Sequence, residues 1–345
     1  MNKRRKTRPV RAGKVIIGGN APVSVQSMTK TDTRNVRETV NQIRQLQEAG
    51  CEIVRVAVPD TEAALKLGEI KKRIKIPLVA DIHFNYRLAL LALEQGVDKL
   101  RLNPGNIGEP EKVAEIARRA KKRGVPIRIG VNAGSLKRHG RTGSVAEMMV
   151  ESALEHIRIL ERHKFRDIVI SLKASDVLTT IQAYELMAEK VDYPFHLGIT
   201  EAGTLVSGTA RSSIGISALL MRGIGDTIRV SLASSPADEV SAGKAILQSV
   251  GLRKFGPEII VCPTCGRAQI DVFKIAAEVE KKTKGIKKPL KIAVMGCEVN
   301  GPGEAKESDI GLAGGKKQGI IFCRGKLVKK VPENRLVAEL LKQIK

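Results

Sequence analysis

Hydrophobic residues recur along the first two thirds of the chain as short β-branched runs that end in polar residues, each followed by a segment of helical period. The runs fall at 22–26, 52–56, 77–81, 99–102, 126–130, 167–171, 195–199 and 227–230. Apolar positions spaced three and four apart between them predict helices. One is expected over 36–49, with Asp32 or Thr33 as its cap, and another over 111–123, closed by Gly124. Eight strands alternating with helices over roughly 230 residues match a (β/α)8 TIM-type barrel, an α/β fold. A doubly wound open sheet is the competing arrangement. Neither G-x-G-x-x-G nor G-x-x-x-x-G-K-[ST] follows any strand, which counts against it.

The alternation ends at a linker over 250–258. Beyond it, strands are expected at 259–261, at 291–295 and around Ile310, Ile320 and Leu327, with helices over 269–282 and 333–344. The chain therefore divides into a barrel, 1–250, and a small α+β domain, 259–345. No internal repeat or low-complexity segment interrupts either part.

Polar residues at the C-terminal ends of barrel strands line the active site of such folds. Successive strands here offer Arg55; Asp81 and His83; Arg101 and Asn103; Arg128 and Asn132; Lys173; Glu201; Arg229 and Ser231. Arg and Lys rarely occupy buried positions unpaired. The cations Arg55, Arg101, Arg128, Lys173 and Arg229 are set in β-branched runs, and Asp81 and Glu201 are the evident protein anions for them. A ligand carrying several negative charges is expected, and a diphosphate matches the excess. Any one of these arginines could instead snorkel outward between strand and helix, but five together do not fit that reading. His83 suits either a proton donor or substrate hydrogen bond, or a structural backbone contact. His139, His156, His163 and His196 are read as structural.

Composition adds limits. A hydrophobic content of 42% with 28% charged residues suits a globular protein with a full core. No apolar run reaches membrane-spanning length, and the basic start is not followed by a signal-peptide stretch. Five cysteines without an even-numbered framework fit a reducing, cytoplasmic setting. The net charge of +24 admits nucleic-acid binding, solvated basic helix faces, or attraction of acidic substrates or an acidic electron carrier. Aromatic residues make up only 3%, without Trp, so base-stacking platforms are scarce.

The last quarter carries Cys262-Pro-Thr-Cys-Gly-Arg267 and Met295-Gly-Cys297. One C-x-x-C pair and a third thiol make a claw for a soft metal, one ligand short of the usual four. The spacing favours an iron–sulfur site, then zinc, then dithiol chemistry at Cys262 and Cys265, which leaves Cys297 unexplained. Cys323, in an apolar strand, and Cys51, at a helix end, are read as packed core residues.

These motifs, with Asn300-Gly-Pro-Gly-Glu304 and Asp309-Ile-Gly-Leu-Ala-Gly-Gly315, resemble the cluster domain of the 4-hydroxy-3-methylbut-2-enyl diphosphate synthases of the bacterial methylerythritol phosphate route. The resemblance extends through the barrel in Val23-Ser-Val-Gln-Ser-Met28, Ala80-Asp-Ile-His83, Leu100-Arg-Leu-Asn-Pro-Gly105, Ile129-Gly-Val-Asn132 and Gly198-Ile-Thr-Glu-Ala-Gly203. It implies a 4Fe–4S cluster on Cys262, Cys265, Cys297 and Glu304. It implies substrate binding by Arg55, Arg101, Asn103, Arg128, Asn132, Lys173, Arg229 and Ser231, with Asp81, His83 and Glu201 facing the reacting carbons. The implied reaction is reductive opening of 2-C-methyl-D-erythritol 2,4-cyclodiphosphate, with two electrons from ferredoxin or flavodoxin. The implied assembly is a homodimer in which one subunit's cluster domain closes over the other's barrel. Two other classes are weighed: a basic, zinc-stabilised RNA-binding protein, and a phosphate-binding barrel enzyme such as an aldolase or pterin-type synthase with structural zinc.

Overall fold

In the computed structural model the described residues are 3–136, 142–297, 299, 303, 307–316 and 318–344. They form two compact units, Met1–Arg253 and Lys254–Lys345. The first opens with a hairpin, β1 (Val10–Ala12) and β2 (Val15–Ile17), turned at Gly13 with φ +56°. The alternating elements follow: β3 (Ser24–Met28), α1 (Val36–Ala49), β4 (Ile53–Ala57), α2 (Thr61–Arg73), β5 (Leu78–Asp81), α3 (Tyr86–Glu94) and β6 (Lys99–Arg101). Next come α4 (Pro104–Ile107), α5 (Pro110–Arg123), β7 (Ile127–Asn132), α6 (Val145–Arg162), β8 (Ile168–Lys173) and α7 (Val177–Ala188). The unit ends with β9 (His196–Leu197), α8 (Leu205–Met221), β10 (Thr227–Ile228) and α9 (Pro236–Ser249).

The eight strands from β3 to β10 pair in the order β8-β7-β6-β5-β4-β3-β10-β9, and every pairing is parallel. A parallel bridge from Ile170 in β8 to Phe195, just before β9, joins the two ends of the sheet into a barrel. The expected (β/α)8 fold is present. Helix α5 ends as expected at Gly124, whose φ of +63° is the left-handed conformation glycine adopts without strain. Helix α1 differs. Its cap is Asn35, which accepts from the Glu38 N–H, and Asp32 instead pairs with Arg34 two residues on.

The β1–β2 hairpin was not legible as an element, because three-residue strands are too short for periodicity to register. It closes the N-terminal end of the barrel: Val10, Ala12 and Ile17 form one buried cluster with Ile53, Val79 and Val169 from β4, β5 and β8. The basic residues ahead of it are pinned down. Arg4 donates to the Ala21 carbonyl and to Asp226 at 2.7 and 3.1 Å, and Arg5 lies over the Phe195 ring at 4.0 Å. Part of the positive charge therefore serves to anchor this arm.

The second unit holds β11 (Glu258–Val261), α10 (Val272–Thr283), β12 (Lys291–Met295), β13 (Ile310–Gly315), β14 (Gln318–Cys323), β15 (Lys326–Pro332) and α11 (Leu336–Lys342). Its sheet runs β11-β12-β13-β14-β15, parallel across the first three strands and antiparallel thereafter. Apolar residues of α10 and α11, among them Ile275, Val279, Leu336 and Leu340, form one buried core with Ile292, Val294, Leu312 and Ile321. Cys323 packs against that core, as its apolar strand predicts. No described helix is long and apolar enough to cross a membrane.

Candidate active site

Side chains alternate along a strand, so every second residue of β3 to β10 enters the barrel interior. At the C-terminal end they enclose a cavity of ≈130 Å³. Arg55, Asp81, His83, Arg101, Arg128, Asn132, Lys173, Arg229 and Ser231 all line it. Nine of the eleven barrel residues singled out in the sequence thus meet at one place. A larger hollow of ≈450 Å³ lies between α6 and the segment after α7, away from this cation cluster.

The other two residues stand elsewhere. Asn103 donates to the Gly130 carbonyl at 2.9 Å and accepts from the Gly130 N–H at 2.8 Å, so its amide locks β6 to β7. Glu201 is exposed in the loop after β9, with a left-handed φ of +51°. Such a backbone state in a non-glycine residue costs energy and is held by its surroundings.

Two glycines make the arrangement possible. A Cβ at Gly130 would lie 2.7 Å from Arg101 Nε, and one at Gly198 would lie 2.6 Å from Lys173 Nζ. Without those methyl groups, both cations cross directly over neighbouring strands. Arg101 Nη2 also donates to the Gly130 carbonyl at 2.9 Å.

Electrostatics set the character of the cavity. Asp81 stands 3.8 Å from Arg55, 3.4 Å from Arg101 and 3.6 Å from His83. Burial opposes its ionisation, but Arg55, the His83 hydrogen bond and Arg101 outweigh burial and hold the carboxyl well below the usual carboxylate range. Burial, reinforced by the neighbouring arginines, pushes Lys173 and Arg128 well below their ordinary values and Arg229 down to about 10. Nε and Nη1 of Arg128, Nε of Arg229 and Oδ1 of Asp81 are buried without a hydrogen-bond partner. Buried polar atoms are ordinarily satisfied, so the three guanidinium N–H groups are donors open to an anion, while the Asp81 oxygen is an acceptor.

Sequence reasoning missed Ser171 and Thr200, which also line the cavity. It missed Glu239 as well. This buried residue of α9 accepts from Ser27 and from the Leu232 N–H, and stands 3.8 Å from Arg229. Its place in a helix's first turn reads as a favourable dipole partner and hides the second role. Lys99, fully buried in β6, is a sixth interior cation. Six cations face two buried carboxylates, Asp81 and Glu239.

In the second unit, Cys262 directly follows β11 and Cys297 follows β12 by one residue, at the same end of adjacent parallel strands. Cys262 is half-buried, Cys265 exposed and Cys297 buried. Thr264, between the paired cysteines, has φ +69°, and the Cys265 carbonyl accepts from Ala268 at 2.9 Å. A Cβ at Gly266 would meet nothing within 4 Å, so the space beside the thiol loop is open. No group of three or more His, Cys, Asp or Glu side chains is assembled as a metal site among the described residues. Glu304 lies outside them, as does His139. The donor set, soft thiols on turns at shared strand ends, fits a thiolate-held metal group. Cys51 belongs elsewhere: its thiol donates to the Ile53 carbonyl at 3.0 Å, and burial pushes it up to about 12.

Fold and site together define a class: a TIM-type barrel whose mouth is lined by five cations, joined to a three-cysteine domain. Residues 7–244 match the GcpE TIM-barrel domain, and 258–345 match the GcpE protein C-terminal domain. The chain belongs to the GcpE family. It is 60% identical over 344 residues to a 4-hydroxy-3-methylbut-2-en-1-yl diphosphate synthase (flavodoxin) of Caldanaerobacter subterraneus, covering 99% of this chain and 97% of that protein. It is 58% identical over 350 residues to the protein of the same name from Thermodesulfovibrio yellowstonii, covering all of both. Among solved structures, dihydropteroate synthase from Stenotrophomonas maltophilia superposes with a TM-score of 0.54 at 15% identity, over 71% of this chain and 98% of that one. The Yersinia pestis enzyme gives 0.52 at 10%, over 70% and 98%. Those two likenesses concern the barrel fold alone.

Proposed function

We propose that this chain is a 4-hydroxy-3-methylbut-2-enyl diphosphate synthase, an oxidoreductase of isoprene biosynthesis. It opens the ring of 2-C-methyl-D-erythritol 2,4-cyclodiphosphate and releases one hydroxyl as water, consuming two electrons. The observation that carries the reading is the barrel cavity, lined by five cations and one carboxylate, Asp81, in a chain closely similar to synthases of that name. Flavodoxin is the donor in the names of those relatives and is the donor proposed here, with ferredoxin as the alternative.

Arg128, Lys173 and Arg229 hold the diphosphate, and the rigid strand ends fix the carbon skeleton beside it. Asp81, kept ionised by Arg55 and Arg101, orients His83 towards the ligand. Glu201, on the strained loop after β9, delivers the proton that leaves with the hydroxyl. Cys262, Cys265, Cys297 and Glu304 would hold a 4Fe–4S cluster. Bound there, the cluster supplies electron transfer and a Lewis-acidic iron. Glu304 would be the carboxylate ligand beside the three thiolates, a harder and more readily exchanged donor than they are. The working form is a cytoplasmic homodimer.

Anaerobic turnover tests the proposal. With reduced flavodoxin, the iron-loaded protein is expected to convert the cyclic diphosphate into the linear allylic diphosphate. Iron-loaded protein that binds the substrate yet yields no allylic product contradicts it.

A further inference from the structure

Beneath the cavity the barrel carries a second polar level that the proposed reaction does not use. Barrels of this type ordinarily fill that level with branched apolar side chains. Here Gln26 of β3, Lys99 of β6 and His196 of β9 occupy it, all buried to 1% exposure or less. Lys99 Nζ donates to Gln26 Oε1 at 3.3 Å. Strands β4 and β5 lie between β3 and β6 in the sheet, so this bond crosses the barrel interior. No carboxylate stands within ion-pairing distance of Lys99 among the described residues, and Gln26 Nε2 and both His196 ring nitrogens are unpartnered. Arg128 belongs to both levels. It lines the cavity and exerts the strongest charge repulsion on Lys99.

The interior around Lys99 presents Arg55 from β4, Asp81 from β5, Arg128 from β7, Lys173 from β8, His196 from β9 and the residue after β10, Arg229. Arg101 shares its strand. An ammonium buried with one uncharged protein partner pays a heavy cost of desolvation. Arginine keeps its proton in proteins, so repulsion among these groups is relieved at lysine. Lys173 reaches the cavity and can pair with a ligand directly; Lys99 cannot. Burial first, then Arg128 and Arg55, pushes Lys99 well below its ordinary value.

We propose that Lys99 is a further functional residue of this site, neutral in the unliganded barrel and protonated when a polyanion fills the cavity, so that binding draws a proton into the barrel core. The proposal rests on the reading of the cavity as a diphosphate site. An anion beside Arg128 and Arg55 cancels the repulsion that keeps Lys99 neutral. The barrel thereby matches its charge to its ligand and favours the more highly charged anion. Proton uptake on binding makes affinity fall as pH rises.

Sulfate stays a dianion through the neutral and alkaline range, so protons taken up on sulfate binding enter the protein. Full-length protein titrated with sulfate in weakly buffered solution is expected to take up about one proton more per bound anion than Lys99→Met or Lys99→Gln, and to lose affinity about tenfold more steeply per pH unit. Circular dichroism establishes that each variant is folded before it is compared. No uptake by the unaltered protein overturns the proposal without recourse to a variant. Equal uptake in all three proteins also overturns it, moving the proton to Lys173 or His196. Failure of the unaltered protein to bind inorganic diphosphate overturns the diphosphate reading instead.

Discussion

The barrel mouth and the cysteine end of the second unit are organised in opposite ways. At the mouth a carboxylate and two backbone-fastened side chains hold part of the charged cluster in place, while Arg128 keeps two unpartnered donors. Asp81 sits among Arg55, Arg101 and His83, while Arg101 and Asn103 both fasten to Gly130. At the cysteine end three thiols occupy turns after two strands, and no metal-ligand group is assembled among the described residues. The first site is built by packing before its ligand arrives. Under the proposed reading the second would take its final geometry from a bound metal, as thiolate sites commonly do. Anion binding and metal loading should therefore respond to different mutations.

The largest effect is expected at the thiols. Cys297→Ser should abolish bound iron and cut turnover by roughly three orders of magnitude or more, while diphosphate binding to the barrel persists. Iron analysis beside diphosphate calorimetry checks this, and joint loss of both functions would break the separation. Next comes the barrel. Lys173→Met or Arg128→Met should weaken diphosphate binding by about 2–4 kcal/mol with iron content unchanged.

A smaller, pH-dependent effect belongs to Asp81. Its carboxyl is held below the unfolded value, so its stabilisation is complete above that value and is lost as pH falls towards the folded one. Asp81→Asn should lower stability at neutral pH by about 3 kcal/mol and flatten the acid limb of the melting curve. An unchanged acid limb would show that Asp81 is not the group responsible. Smallest of all, Cys51→Ala should leave iron content untouched, and iodoacetamide should label Cys265 in metal-free protein far faster than Cys51.

The barrel was legible because its strands are short β-branched runs, five of which carry a cation in or just after the run, a pattern that an interior polar site explains. Its eight strands and nine of its site residues follow from that pattern. Glu239 was not legible, since an acidic residue in a helix's first turn already has a sufficient local reason to be there. Lys99 was hidden by Arg101 two residues on, which drew attention to the strand's end. Asn103 shows the converse: its position suggests a ligand contact, and its amide is bonded on both sides to Gly130. Three-residue strands such as β1 and β2 leave no periodic trace, although they close one end of the barrel.

The central claim is that a carboxylate completes a three-thiol site and makes it a redox centre. Anaerobic purification followed by iron and acid-labile sulfide analysis, with a visible spectrum, addresses it most directly. The account predicts a brown protein with about four irons and four sulfides per chain, reduced to trace iron by Cys262→Ser. A colourless protein carrying one zinc per chain would contradict it.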